Sequence, residues 1–376
     1  MKKIQMVDLK SQYDKIKETV NGSIQEVLDT NTYINGPQVH QFQKSLEDYL
    51  DVKHVIPCAN GTDALQIAMM GLDLKPGDEV ITADFTFAAT VEVIALLQLT
   101  PVLVDVDLYN MNISIERIKK SITPKTKAIV PVHLFGRAAN MEAIMAIAKE
   151  YNLYVIEDNA QAIGANCKFS DGTKKKAGTI GHVGSTSFFP SKNLGCYGDG
   201  GAIFTNDDAL AHKLRGIVNH GMYERYHHDV VGVNSRLDSI QAAVLNAKLP
   251  LLDEYNKLRQ DASRKYSAAF EGHKNIVAPN ICDICDCHVF HQYTLRIIDA
   301  DRDGLMQHLL NKGIPCAIYY PIPLHSQKAY LDARYKEEDF PVTNQLVKEV
   351  ISLPMHTELD DEQIKFITDS VLEFLK

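Results

Sequence analysis

Short apolar runs rich in β-branched residues alternate with amphipathic segments of helical length between about residues 55 and 205. Such runs are typical of buried strands, and the segments between them are typical of crossover helices in a parallel sheet. The pattern therefore predicts an α/β domain built on a parallel sheet. We expect strands at residues 79–82, 102–106, 128–132 and 154–157, with ligand-binding side chains at their carboxyl ends.

The pattern changes after residue 234. Residues 237–259 predict one long helix with a break at Pro250, and a compact α+β region follows. Because 376 residues exceed the usual size of one core, we predict a large domain over residues 1–250 and a smaller α+β domain over residues 251–376. Residues 8–28 predict a helical arm that packs on another element or subunit.

Composition narrows the function classes. The chain is 45% hydrophobic and 23% charged, which is ordinary for a globular protein, and its net charge of -9 argues against a nucleic-acid partner. We find neither a signal-like apolar region near residue 1 nor an uninterrupted apolar run of about 18 residues. We therefore expect no membrane partner and a cytoplasmic location.

The seven cysteines are an odd number spread along the chain, which favours reduced thiols over a disulfide framework. Cys282, Cys285 and Cys287 form a C-x-x-C-x-C cluster followed by two histidines. The cluster lacks a second matching half and precedes a strand-like run, so we expect no metal site. Metal binding stays the alternative, and elemental analysis tests it.

Lys192 lies in the segment S-F-F-P-S-K-N-L, before a glycine-rich run. A lysine amine forms imines with carbonyl compounds, and burial or a cationic neighbour makes it nucleophilic near neutral pH. A solvated surface lysine is the alternative from this segment alone.

Asp158 and Gln161 follow the strand predicted at residues 154–157. An aspartate at this position is suited to pair with the pyridine nitrogen of pyridoxal 5'-phosphate (PLP), and Gln161 is suited to donate to the phenolic oxygen of the ring. A helix cap explains both residues equally well, and the two interpretations are compatible.

Gly61 and Thr62 open an apolar helix, where free backbone N–H groups and the threonine hydroxyl would cradle a phosphate. Phe85 and Phe87 follow the strand predicted at residues 79–82 and offer an aromatic face for a planar ring. Many helices begin with such a Gly-Thr pair, and most single aromatic residues fill a core.

Taken together in this order, these motifs resemble the DegT/DnrJ/StrS family of nucleotide-sugar aminotransferases. The resemblance runs from residues 7–9 to residues 319–321, and it includes the motifs G-T, F-T-F-A-A-T, E-D-N-A-Q, G-D-G-G and G-V-N-S-R-L-D. It implies a fold-type I, aspartate aminotransferase-like homodimer with shared active sites, in which a mostly parallel mixed sheet is joined by a small C-terminal α+β domain.

The resemblance also implies roles for individual residues. Lys192 would carry PLP as a Schiff base and act as the catalytic residue. The other cofactor contacts would come from Gly61, Thr62, Phe87, Asp158, Gln161, Ser187 and, from the partner subunit, Asn234. Some family members replace the lysine by histidine and dehydrate sugars, so the lysine found here favours transamination.

The chain looks most like the branch that aminates UDP-2-acetamido-2-deoxy-3-oxo-D-glucuronate, with L-glutamate as donor, for cell-surface polysaccharide synthesis. Such a substrate carries a carboxylate and a diphosphate, for which we name the candidate contacts Arg236, Arg225, His227, His228, His220, Tyr319 and His325. For the two adjacent histidines a solvated loop is the alternative.

Two other functions stay open. One is amination at C4 of a 4-keto-6-deoxy nucleotide sugar, and the other is a non-catalytic regulatory or binding protein on the same fold. The combination of Lys192, Asp158 and Gln161 argues against the second, because a binding protein needs none of this chemistry.

Overall fold

The computed structural model describes residues 2–279 and 287–376. Within these residues the α-helices are α1 (Leu9–Thr30), α2 (Pro37–Leu50), α3 (Gly61–Gly71), α4 (Ala89–Leu96), α5 (Ile115–Ser121), α6 (Met141–Tyr151), α7 (Asp208–Ile217), α8 (Ser239–Lys248), α9 (Leu252–Phe270), α10 (Arg302–Asn311), α11 (Pro341–Glu349) and α12 (Asp361–Phe374). The strands are β1 (His54–Cys58), β2 (Glu79–Ala83), β3 (Thr100–Val104), β4 (Thr126–Val130), β5 (Tyr154–Asp158), β6 (Asn166–Lys168), β7 (Lys174–Lys176), β8 (Val183–Ser187), β9 (Gly201–Thr205), β10 (Met222–Glu224), β11 (His227–His228), β12 (Ile276–Val277), β13 (Tyr293–Ile297) and β14 (Val350–Leu353).

A seven-stranded sheet in the order β1-β9-β8-β5-β4-β2-β3 forms the centre of the protein. The strands from β8 to β3 pair in parallel, whereas β9 runs antiparallel to both of its neighbours. The predicted α/β class with a mostly parallel mixed sheet is confirmed. The strands predicted at 102–106 and 128–132 begin two residues earlier, because their first residues pair with Glu79 of β2.

Side chains of the central strands alternate between two buried layers, as the strand period of two requires. On β2, Val80 packs with the cluster that includes α3 and α7, and Ile81 packs with the cluster that includes α6. Both faces are therefore covered by helices, which explains why these strands are apolar throughout rather than alternating.

A second, three-stranded antiparallel sheet has the order β12-β13-β14 and packs with α10, α12 and the end of α9. The predicted break at Pro250 is confirmed, since a short 3₁₀ turn over Leu249–Leu251 separates α8 from α9. Leu252 of α9 packs with the large-sheet cluster, and Tyr266 packs with the small-sheet cluster. The domain boundary at residue 250 stays a prediction.

Helix α1 confirms the predicted N-terminal helix. The Asp8 carboxylate accepts a hydrogen bond from the Ser11 backbone N–H at 2.9 Å, which caps the helix start. The helix packs on α8 through a stripe that includes the buried Val20 and Val27. Among the described residues, no helix is both long and apolar enough to cross a membrane.

Candidate active site

A cavity of about 880 Å³ opens where the strands of the large sheet end. Asn60 follows β1, Thr86 follows β2, Val132 follows β4, Asp158 ends β5 and Ser187 ends β8, and all five line it. The carboxyl edge of a parallel sheet is where α/β proteins bind ligands. The cavity also receives two segments from the C-terminal region, residues 291–292 and 318–321.

Most of the residues that the sequence singled out for a cofactor lie on this cavity. Its lining includes Gly61, Thr62, Phe87, Asp158, Gln161, Ser187 and Lys192, together with Tyr319 from the substrate candidates. These residues come from five separate stretches of sequence, so only the fold brings them together.

Lys192 reaches the cavity from the loop between β8 and β9. Its backbone N–H donates to the Phe189 carbonyl at 2.8 Å, and the next residue, Asn193, donates from Nδ2 to Asn256 Oδ1 at 2.7 Å and to the Val289 carbonyl at 2.9 Å. Burial lowers the pKa of the Lys192 amine to about 8, although the nearby Asp158 carboxylate opposes the shift. A substantial fraction of the amine is therefore neutral and nucleophilic near physiological pH.

Asp158 is 5% exposed at the end of β5. Its Oδ2 accepts a hydrogen bond from Thr90 Oγ1 at 2.7 Å, and its Oδ1 accepts one from the Ala160 backbone N–H at 3.2 Å. A carboxylate has about four acceptor positions, so two donors leave room for a further one from the cavity. Thr90 was not among the residues predicted from the sequence, although it belongs to the F-T-F-A-A-T motif.

A fully buried pair supports the strand end that carries Asp158. His133 Nε2 lies 2.9 Å from Glu157 Oε2, and the same carboxylate accepts backbone N–H bonds from Gly178, Ile180 and Gly181 at 2.6–2.8 Å. The His133 backbone N–H donates to the Asp158 carbonyl at 3.0 Å. These contacts fix the backbone of Asp158 relative to its neighbouring loops.

Gln161 is held at both ends of its amide. Its Oε1 accepts from the Phe135 backbone N–H at 2.6 Å, and its Nε2 donates to Tyr320 Oη at 3.2 Å. One amide N–H remains for a ligand. Tyr320 also lies 6.2 Å from Phe87, ring centroid to ring centroid, and together they form an aromatic side of the cavity.

The start of α3 forms a close-fitting cradle. Asn60 caps the helix, with Oδ1 accepting from the Asp63 N–H at 2.8 Å. A Cβ on Gly61 would lie 2.6 Å from Ser187 Cβ, so only glycine allows β8 to approach the helix start. Gly61 and Thr62 at the start of α3 line the cavity together with Ser187, and a helix start with nearby hydroxyl groups is suited to bind a phosphate.

This arrangement fits the PLP that the sequence implied. The cradle at Gly61 suits its phosphate, the remaining acceptor position of Asp158 suits its pyridine N–H, and the amine of Lys192 suits its aldehyde. The group would then lie between the cradle and Asp158, next to the exposed ring of Phe87, which is 57% accessible to solvent.

Six predicted residues lie away from the cavity of their own chain. His220 is exposed, and Arg225, His227 and His228 lie on or beside the exposed hairpin formed by β10 and β11. Asn234 is exposed, and Arg236 donates from Nη1 to Asn219 Oδ1 at 3.2 Å. Arg236 Nε is buried without a partner.

His325 also lies outside the lining of the cavity. It is 8% exposed, its Nδ1 lies 2.7 Å from Asp84 Oδ2, and its ring stacks on Phe340 with centroids 4.4 Å apart. The backbone N–H of His325 donates to Asp84 Oδ1 at 2.7 Å. These contacts tie the segment that carries Tyr319 and Tyr320 to the end of β2, which is a structural role.

The cavity carries few positive charges. Among the described residues that line it, Lys192 is the only lysine or arginine, whereas Asp63, Glu92, Asp158 and Asp199 supply four carboxylates. A phosphorylated cofactor and a nucleotide-linked substrate both need cations or N–H donors. The charge of the cavity lining in one chain is therefore not complementary to the anionic ligands that the shape of the cavity would accommodate.

Cys282 and Cys285 lie outside the described residues. Cys287 is half-buried beside a separate pocket of about 560 Å³. The described part of the chain contains no group of three His, Cys, Asp or Glu side chains placed to hold a metal ion.

The model of the DegT/DnrJ/EryC1/StrS aminotransferase family matches residues 14–372. The chain is 46% identical to the UDP-2-acetamido-2-deoxy-3-oxo-D-glucuronate aminotransferase of Pseudomonas aeruginosa, over 97% of this chain and 98% of that protein. It is 44% identical to a pleiotropic regulatory protein of Geobacillus stearothermophilus, over 99% of each chain.

Two solved structures are similar throughout. DesV from S. venezuelae has a TM-score of 0.94 and 35% identity, covering 100% of this chain and 99% of that one. NtdA from Bacillus subtilis, with bound cofactor PMP, has a TM-score of 0.88 and 29% identity, covering 96% of this chain and 82% of that one. PMP is pyridoxamine phosphate, the aminated form of PLP.

Proposed function

The chain belongs to the DegT/DnrJ/EryC1/StrS aminotransferase family, and from that membership we propose that it aminates C3 of UDP-2-acetamido-2-deoxy-3-oxo-D-glucuronate, with L-glutamate as donor. Membership makes it a PLP-dependent sugar aminotransferase. The observation that carries the choice of sugar is the 46% identity to the Pseudomonas aeruginosa enzyme over nearly the whole of both chains. The product would serve cell-surface polysaccharide synthesis.

The proposed roles follow from the geometry of the cavity. The first turn of α3 and Ser187 would bind the phosphate of the cofactor, and Asp158 would accept the hydrogen bond of its ring nitrogen. When bound, PLP supplies an electron-withdrawing ring that stabilises negative charge on the substrate carbon. The Asp158 carboxylate, which Thr90 Oγ1 orients, would favour the protonated form of this ring through its negative charge.

Lys192 would carry the proton transfer. Its amine has a pKa of about 8, so it is able both to accept a proton from the substrate carbon and to return one near neutral pH. General acid-base catalysis of this kind contributes roughly 10²- to 10⁴-fold in rate. Gln161 would orient the ring through its remaining N–H, while Phe135 and Tyr320 keep the amide from rotating.

The proposed active unit is a homodimer with shared sites. Among the described residues that line the cavity of one chain, Lys192 is the only lysine or arginine, whereas the expected ligands carry several anionic groups. The segment 220–236 carries Arg225, His227, His228 and Asn234 on an exposed surface, and its apolar side chains Tyr226 and Val231 are 75% and 85% exposed. Packing this segment on the cavity of a partner would bury those side chains and bring positive charge to the substrate.

Mixed dimers test the shared site. Lys192→Ala and Asn234→Asp are each expected to be inactive, the second because a carboxylate would repel the cofactor phosphate. Subunit exchange between the two variants would restore one active site in each mixed dimer. This site would combine Lys192 of one chain with Asn234 of the other chain. If mixtures that have exchanged subunits stay inactive, the sites are not shared in this way.

A substrate comparison tests the sugar. The purified protein, saturated with PLP and L-glutamate, would be given the 3-oxo uronate on UDP and, in parallel, a 4-keto-6-deoxy nucleotide sugar, with the aminated product read by mass. Exclusive turnover of the second compound would establish C4 amination instead. Absence of amino transfer from glutamate to any keto sugar would favour a non-catalytic protein, as the name of the Geobacillus relative suggests for that protein.

A further inference from the structure

His291 lines the cavity with Lys192, and the proposed function gives it no role. The segment that carries it is fixed on both sides: the Val289 N–H donates to the Gly136 carbonyl at 2.9 Å, and the Gln292 N–H donates to the Phe135 carbonyl at 3.3 Å. Arg259 Nη1 donates to the His291 carbonyl at 3.3 Å. The position of His291 is therefore determined by two neighbouring elements, the turn over Leu134–Gly136 and helix α9.

The backbone beside His291 is also strained. Phe290 has a φ of 46°, a left-handed conformation that is unfavourable for a residue with a large side chain. Its ring stacks on His288 with centroids 3.8 Å apart, and its N–H donates to His288 Nδ1 at 3.1 Å. Strain of this kind persists where the surrounding contacts impose it, and here it directs the next side chain, His291, towards the cavity.

The hydrogen bonds of His291 are incomplete. The residue is 8% exposed, and its Nδ1 is buried without a partner. A buried N–H without an acceptor is rarer and costs more than a buried acceptor without a donor. The ring proton of the neutral imidazole is therefore best placed on Nε2. This nitrogen would then donate a hydrogen bond to a ligand in the cavity.

Two further observations describe the surroundings of this donor. Burial, together with the charges of Lys192 and Arg259, holds the pKa of His291 well below its ordinary value, so the imidazole is neutral. The next residue, Gln292, also lines the cavity, and its Oε1 is buried without a partner. A neutral donor and an unpaired acceptor thus belong to two consecutive residues that line the same cavity.

We propose that His291 and Gln292 form a neutral subsite for the sugar ring of the nucleotide substrate, with His291 donating to a sugar oxygen and Gln292 accepting from a hydroxyl or amide N–H. The subsite rests on the proposed function. A carboxylate of glutamate only accepts hydrogen bonds, so it would leave Gln292 Oε1 unpaired. A sugar hydroxyl both donates and accepts and therefore satisfies the two groups together.

Calorimetric titration of the protein saturated with pyridoxamine phosphate tests the subsite, with UDP-N-acetylglucosamine and UDP as probes. The ratio of their dissociation constants measures what the sugar adds to binding. His291→Phe, which keeps a planar ring, is expected to reduce this ratio about fivefold to tenfold, the equivalent of one net hydrogen bond. His291→Asn, which keeps a donor, is expected to recover part of it, and the affinity for UDP is expected to stay unchanged.

His308→Phe is the matched control, because His308 also has a buried, unpartnered Nε2 but lies on α10, outside the cavity lining. An unchanged ratio in His291→Phe refutes the subsite, and so does an equal loss of affinity for UDP and for the sugar nucleotide, which indicates a structural role. If the wild-type protein binds UDP-N-acetylglucosamine no more tightly than UDP, the subsite is refuted, whereas the proposed function fails only if no amino group is transferred to a keto sugar.

Discussion

Replacing Gly61 with alanine is expected to weaken cofactor binding through a steric clash at the phosphate cradle. The added Cβ would lie 2.6 Å from Ser187 Cβ, whereas ordinary contact begins at 3.4 Å, so the start of α3 and the end of β8 must separate by about 0.8 Å. Overpacking of this kind costs about 1–3 kcal/mol. Because the same two elements would hold the phosphate, we expect the dissociation constant to rise roughly 10- to 100-fold.

The assay is a fluorescence titration of cofactor-free protein with pyridoxamine phosphate, which binds without attachment to Lys192. Gly22→Ala is the control, since a Cβ on this residue of α1 meets nothing within 4 Å. Gly22→Ala is expected to stabilise the helix by about 0.4–1 kcal/mol and to leave cofactor affinity unchanged.

A double-mutant cycle identifies the cause. Ser187→Gly removes the atom that the new Cβ would strike, so adding Gly61→Ala to Ser187→Gly is expected to weaken binding far less than it does in the wild-type background. If Gly61→Ala binds pyridoxamine phosphate as tightly as the wild type, or if its effect is the same in both backgrounds, the cradle does not work as described.

Two further predictions concern charge. Chemical modification of Lys192 in cofactor-free protein, measured by peptide mass, is expected to accelerate as pH rises through about 8, because only the neutral amine reacts. Asp158→Asn is expected to lower the pH midpoint of this reaction, since the carboxylate favours the ammonium form of the lysine. A midpoint above 10 in the wild type would contradict the lowered pKa of Lys192. Glu157→Gln is expected to lower the free energy of unfolding by about 3 kcal/mol, because its amide N–H₂ would face donors that now bind the carboxylate. The exposed Glu116→Gln is the control and is expected to leave the free energy of unfolding nearly unchanged. Equal losses in denaturant unfolding would show that the buried network is unimportant.

The sequence by itself determined the elements and much of the cofactor chemistry. Strands such as β2 and β5 are short apolar runs, and helix starts such as that of α1 carry a side-chain cap, so both are encoded within a few residues of chain. Lys192 and Asp158 were found because their motifs are local and occur in the order typical of a known family. Their shared cavity confirms the proximity that the resemblance implied, although their roles stay proposals.

Only the tertiary structure decided the contacts between distant segments. His325 was expected in the sugar pocket, but Asp84, 241 residues away, takes its imidazole and its backbone N–H. His291 and Gln292 carry no motif, and their unpaired atoms become visible only when the loop that contains Phe135 packs against them. Whether a polar group finds a hydrogen-bond partner, and how far its pKa shifts, depends on which groups the fold buries together. A local sequence pattern does not contain this information.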